Sequence, residues 1–176
     1  MATFRIFIAD DHEVVRKGLM SLLQAQPDWE VCGEAADGRE AVEKAQQLKP
    51  DVVILDIGMP SLNGLEATRQ ILKTNPQARV LILTLHDSDQ VVREVLNAGA
   101  RGFLLKSDAA RDLVAAVEAL RRRLVFGGVA GASPISSAVM MLVTNSLGPW
   151  SSKSTAVRSW SDEVTIPRPY TSCLMV

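Results

Sequence analysis

Cysteine is nearly missing from this chain. Cys32 and Cys173 are the only two in 176 residues, and their separation matches no metal-binding spacing. A disulfide framework and a cysteine zinc site are both excluded. The first residues have no charged lead followed by an apolar stretch, so they do not read as a secretory signal, and the two thiols are expected to be reduced in a cytoplasmic setting. No apolar run approaches the ~18–20 residues that a membrane span needs. An excess of either charge is also lacking: 19 Lys/Arg stand against 20 Asp/Glu, for a net charge of −1. That excludes a globally basic nucleic-acid or membrane-surface binder, though not a local basic patch. What is present is apolar material, 47% of the chain, enough to fill the core of one ordinary domain plus something small.

Charge divides the chain in two. Residues 123–176 hold only Arg123, Lys153, Arg158, Asp162, Glu163 and Arg168, six of the chain's 39 charged residues. Ser, Thr, Pro and Gly fill 22 of those 54 positions, so the boundary falls near Arg121–Arg123. Residues 1–122 read as a regular globular domain and 123–176 as an atypical, low-charge tail.

Within the first part, short aliphatic runs alternate with amphipathic stretches. Phe4–Ala9, Glu30–Ala35, Asp51–Leu55, Val80–Thr84 and Gly102–Leu105 have the length and composition of buried parallel strands. Between them, apolar residues recur at helical period: Val14, Leu19, Leu22 and Leu23; Ala41, Val42, Ala45 and Leu48; Ile71 and Leu72; Val92, Val95 and Leu96; Leu113, Val117 and Leu120. Asp37 with Glu40, Asn63 with Glu66 and Asp87 with Gln90 mark helix starts, and Gly99 a left-handed helix stop. Five strands each followed by a helix predict an α/β fold, a doubly wound parallel five-stranded sheet with helices on both faces.

Ligands of such sheets bind beyond the carboxyl ends of the strands. Asp10 and Asp11 follow the first strand, Asp56 the third, Thr84 the fourth and Lys106 the fifth. Taken singly, Asp11 is a plausible helix cap, Thr84 an ordinary strand-end threonine and Lys106 a solvated lysine. Placed together at one edge, three carboxylates repel unless a lysine and a hard divalent cation such as Mg²⁺ compensate them. A carboxylate so flanked is suited to receive a phosphoryl group.

These residues, with Met59-Pro60 after Asp56 and the stretches Leu55–Glu66 and Ala98–Lys106, resemble the receiver domain of two-component response regulators, in particular the NarL/FixJ-type subclass. The resemblance runs from about residue 3 to 122. It implies a flavodoxin-like (βα)5 fold and phosphorylation of Asp56 by a sensor histidine kinase. It further implies Mg²⁺ held by Asp10, Asp11, Asp56 and the Gly58 carbonyl, and Lys106 and Thr84 on the phosphoryl oxygens. Phe103 falls at the position of a switch aromatic; it has no hydroxyl, so packing alone would have to work the switch. The expected output is a change on the face of the fourth helix, fifth strand and fifth helix, with a second receiver as a dimer partner. The protein would be cytoplasmic, with no enzymatic activity beyond phosphorylation and dephosphorylation of itself.

Two positions depart from the pattern. Ser107 stands where many receivers carry proline. The tail contains no helix-turn-helix start and no basic recognition helix, so no DNA-binding residue is identified. It is expected to be irregular, with at most one short helix near 138–147, and to be a frame-altered or truncated output region. The alternative is a DNA-binding transcriptional regulator whose output domain is in, or was lost from, the tail. A phosphatase of the haloacid-dehalogenase type is disfavoured because Gly58 occupies the place of its general acid. Asp10-Asp11 stands where a phosphate loop would need glycines. A receiver that has lost phosphorylation is disfavoured because all five key side chains are present.

Overall fold

The structure is a computed structural model that describes residues 3–86 and 88–128. Five strands alternate with five helices: β1 Phe4–Ala9, α1 Glu13–Gln24, β2 Trp29–Ala35, α2 Gly38–Leu48, β3 Val52–Asp56, α3 Gly64–Thr74, β4 Arg79–Thr84, α4 Asp89–Asn97, β5 Gly102–Leu105 and α5 Ala109–Arg121. A short β6, Phe126–Gly128, follows. All pairings are parallel, in the order β2-β1-β3-β4-β5-β6.

The expected five-stranded sheet therefore gains a sixth strand, and residues 126–128 of the expected irregular tail are part of the sheet. The cause is the edge of β5: its open backbone groups take a partner, beginning with the Phe126 N–H donating to the Arg101 carbonyl at 3.0 Å. The expectations for 129–176 and the Asp87 cap lie outside the described residues.

Strand alternation sorts the core into two layers. Ile6, Ile8, Val52, Ile54, Leu81, Leu83 and Leu104 pack under α1 and α5 with Leu19, Leu23, Leu113, Val117 and Leu120. Phe7, Ala9, Val53, Leu55, Val80, Ile82 and Phe103 face the opposite side with Ala41, Ala45, Ala67, Ile71, Val92 and Val95. Each fully buried aliphatic contributes roughly 1.5–3 kcal/mol, so both faces of the central strands are strongly held.

One predicted stripe shifts by a residue. Val14 is 85% exposed, whereas Val15 packs on the core with Leu19 and Leu23. The spacing from 15 to 19 to 23 keeps one helical face, and Val14 falls off it. The caps at Asp37 and Asn63 form as the spacing predicts: Asp37 accepts from the Arg39 and Glu40 N–H groups, Asn63 from that of Glu66. α4 is capped by Ser88, which accepts from the Val91 N–H at 3.4 Å. Gly99 takes the left-handed conformation at φ 93° that ends α4.

β1 lies between β2 and β3, so the chain leaves it in opposite directions on successive crossovers. The crevice this opens lies at the carboxyl ends of β1 and β3.

Candidate functional site

The strands deliver the side chains to that crevice. Asp10 follows β1 and is fully buried; Asp56 closes β3, also buried; Thr84 closes β4; Lys106 follows β5. The Lys106 ammonium lies 2.9 Å from Asp10 Oδ2 and 2.7 Å from Asp56 Oδ2. Asp11 sits at the rim with its side chain 31% exposed. It is not the helix cap: the N-cap of α1 is His12, whose side chain makes no capping bond.

One cation is thus shared by two buried carboxylates with a third beside them. Burial pushes the Asp56 carboxyl above its ordinary value; the hydrogen bonds from Lys106 and the Gly58 N–H oppose this, and the neighbouring Asp10 charge adds to it. Burial by itself would lower the Lys106 ammonium, but the close Asp56 and Asp10 carboxylates outweigh burial and hold it above the ordinary value. The lysine stays charged, and carboxyl groups outnumber the one ammonium at this edge, a surplus of acid over base.

That surplus fits a divalent cation. Asp10, Asp11, His12 and Asp56 each offer a ligand atom, all within 4.8 Å of one another. Asp10 Oδ2 is buried and, although near Lys106, accepts no well-directed hydrogen bond. Carboxylate oxygens are the donors that Mg²⁺ prefers. Gly58 adjoins Asp56: a Cβ there would lie 3.7 Å from Asp56 Oδ2.

Gly64 holds the loop close. A Cβ on it would collide with the Asp56 carbonyl oxygen, and its N–H donates to the Ile57 carbonyl at 3.0 Å. The N-terminus of α3 can come this near to the end of β3 only without a side chain.

Thr84 is bonded to the main chain beyond its strand. Its hydroxyl donates to the His86 carbonyl and accepts from the His86 N–H, both at 3.0 Å. Phe103 is 5% exposed, already inside the layer under α4 and in register with Ile82 of β4.

Two residues at the site carry no isolated sequence signal. The His12 N–H donates to Asp10 Oδ1 at 2.8 Å, and its Nδ1 lies 2.7 Å from Asp11 Oδ1. Arg16 donates from its guanidinium to the Asp10 carbonyl at 2.7 Å and to Glu34 Oε2 at 2.6 Å, tying the acidic loop to β2. The clue to His12 is its adjacency to the acid pair. Arg16 lies one helical turn further on.

Comparison with known proteins bears on the same residues. The family described as "Response regulator receiver domain" matches residues 6–118. The chain belongs to the response regulator receiver family. It is 44% identical over 120 residues to the response regulator protein VraR of Staphylococcus aureus, an alignment covering 68% of this chain and 57% of VraR. The chain thus spans little more than half the length of the curated relatives it matches. Its fold is similar to the signal receiver domain of the putative response regulator NarL from Mycobacterium tuberculosis, with a TM-score of 0.66, 33% identity, and coverage of 69% of this chain and 98% of that one. A LuxR-family two-component response regulator from Aurantimonas sp. SI85-9A1 is similar with a TM-score of 0.68 and 32% identity, covering 83% of this chain and 99% of that one. These likenesses place this receiver in the NarL/FixJ-type branch. The family is one of signalling proteins. No helix among the described residues is long and apolar enough to cross a membrane.

Proposed function

We propose that this chain is the phosphoacceptor of a two-component pathway, taking a phosphoryl group from a sensor histidine kinase onto Asp56. The observation that carries the reading is the buried Asp56 carboxylate, which shares the Lys106 ammonium with Asp10 at the mouth of the β1/β3 crevice. An Asp56 oxygen would form the new P–O bond while the donor's P–N bond breaks and the imidazole leaves. Lys106 is placed to pair with the phosphoryl oxygens that develop charge. Asp10, Asp11, Asp56 and the Gly58 carbonyl are the residues that would hold Mg²⁺. Bound there, the ion supplies neutralisation of phosphoryl charge. The protein would then be cytoplasmic, and its only chemistry would be gain and loss of phosphate on itself.

The switch reading rests on Thr84. Its hydroxyl is spent on the His86 main chain, and turning it toward an incoming phosphoryl group would release both bonds. The loop into α4 would then be free to move, and the buried Phe103 ring packs in the layer that α4 covers. The α4-β5-α5 face would change as a unit and present itself to a partner, a second receiver among them.

Acetyl phosphate with Mg²⁺ tests the core of this. Intact mass should show one added phosphate on wild type and none on Asp56→Asn, and equal labelling of the variant would refute the assignment. For the tail, we propose that residues 123–176 supply no DNA-binding domain, because their four basic residues are dispersed from Arg123 to Arg168 and phosphate neutralisation sets nonspecific affinity. A response regulator of the LuxR family from Staphylococcus aureus, 26% identical, is described as DNA-binding. A shift of duplex DNA by this chain at physiological salt would restore that alternative.

A further inference from the structure

The amino ends of the strands hold a second charge cluster, of opposite sign. Arg79 at the start of β4, Arg101 just before β5 and Arg123 just after α5 line one cavity of about 170 Å³, with Gln77 and the apolar Leu120 and Leu124. Among the described residues, none of the three arginines has a carboxylate within ion-pairing distance; Glu118, the nearby acid of α5, pairs with Arg121 and Arg122 instead. Arg121 adds a fourth guanidinium: it and Arg79 both lie over the Phe4 ring, at 5.5 and 6.0 Å from its centroid.

Helix-end electrostatics account for part of this. Cations favour the C-terminus of α5, which suffices for Arg121 and Arg122. Arg79 and Arg101 sit where strands begin, and the same argument does not place them on one cavity with Arg123.

Arg123 is held there at a conformational cost. α5 ends in a paired turn: the Leu124 N–H donates to the Ala119 carbonyl and the Arg123 N–H to the Leu120 carbonyl, both at 2.9 Å. The residue at that turn takes a left-handed conformation, usually glycine's place. Here it is arginine at φ 63°. β6 then returns the chain along β5, where the Phe126 N–H is bonded to the Arg101 carbonyl, so Arg101 and Arg123 are fixed on the same rim.

We infer that this cavity binds a small phosphate-bearing anion, separate from the phosphoacceptor site at the other end of the sheet. Guanidinium groups present paired donors that match phosphate oxygens, and arginines that line one cavity with no carboxylate partner among the described residues are relieved by an anion. The apolar wall of Leu120 and Leu124 leaves room for a small non-polar body on that anion.

The test uses the full chain without divalent cations and titrates pyrophosphate, inorganic phosphate and a phosphate monoester by calorimetry. Wild type should bind one anion per chain; binding of the inorganic anions alone marks a free anion as the source, and tighter binding of the monoester a phosphorylated metabolite. Arg101→Ala and Arg123→Gly should each weaken binding about tenfold, the loss expected for one charge-assisted contact. Arg122→Ala, which removes a cation paired with Glu118 outside the cavity, should bind as wild type. Arg123→Gly should also melt at a higher temperature than wild type in the absence of anion, which separates lost binding from lost folding. The inference is overturned by absence of binding at millimolar anion, or by an equal loss in Arg122→Ala. It is also overturned by loss in Asp56→Asn with retention in Arg123→Gly, or by binding of duplex DNA through these arginines with no small anion bound.

Discussion

At the carboxyl ends of β1, β3 and β5, one lysine is shared by two buried carboxylates with a third at the rim; at the amino ends of β4 and β5, three arginines line a cavity and have no carboxylate partner among the described residues. Both ends concentrate like charge, but they are assembled differently. The acidic end is made of residues that close or directly follow strands and are buried or held at the rim by short hydrogen bonds. The basic end is made of longer, more exposed side chains brought together by a helix stop and an added edge strand. Like charge that is buried must be compensated within the protein or by a bound ion, while like charge near solvent tolerates being partly uncompensated. The acidic end should therefore respond sharply to single substitutions, the basic end mildly.

The sharpest way to break this contrast is Asp56→Asn. Labelling by acetyl phosphate with Mg²⁺ should fall from one phosphate per chain to none by intact mass, and omission of Mg²⁺ should do the same to wild type. Next in size is Gly64→Ala. Its new methyl would collide with the Asp56 backbone, and about 3 kcal/mol of stability should be lost in urea unfolding. Thr84→Ala should still label, but the phosphorylation-induced chemical-shift changes around Phe103 should disappear. Wild-type shifts in that variant would uncouple the hydroxyl from the α4-β5-α5 face.

A smaller effect concerns charge alone. The Asp56 carboxyl is raised by burial, so the folded chain holds this proton more tightly than the unfolded one, and the ionised group destabilises the metal-free fold above its pKa. Asp56→Asn should accordingly stabilise the metal-free protein at neutral pH, with the gain shrinking as pH falls through the carboxyl's titration. Denaturant titrations at several pH values check this; a gain that grows at lower pH would reverse the sign. Arg123→Gly closes the comparison from the basic end: relief of a left-handed arginine should add about 1 kcal/mol, read as a higher melting temperature.

The acidic end was legible in the sequence because a strand's end has a fixed place in a parallel sheet. Once five strands are read, Asp10, Asp56, Thr84 and Lys106 must share an edge, whatever the details of packing. Helix starts at Asp37 and Asn63 were legible for a similar reason, since a cap acts within one turn. Val14 was misread because a one-residue shift of an apolar pair leaves the period intact while rotating the face. Arg16 was not legible because an arginine in a first helical turn points to no single partner, and its own are the Asp10 carbonyl after β1 and Glu34 on β2; His12, the N-cap of α1, is marked only by its adjacency to the acid pair.

The sequence by itself determined the order of strands and helices, the two-faced burial of the sheet and the gathering of carboxylates with one lysine, all consequences of local period and of strand direction. Only the tertiary structure decided that Lys106 is shared by Asp10 and Asp56, that Thr84 is committed to His86, and that Phe103 is already inside. It also decided that Phe126–Gly128 adds a sixth strand and so brings Arg123 onto one rim with Arg101. Each of these depends on which of several equivalent partners a side chain or an open strand edge meets. Sequence spacing does not encode that choice; the packing of distant segments makes it.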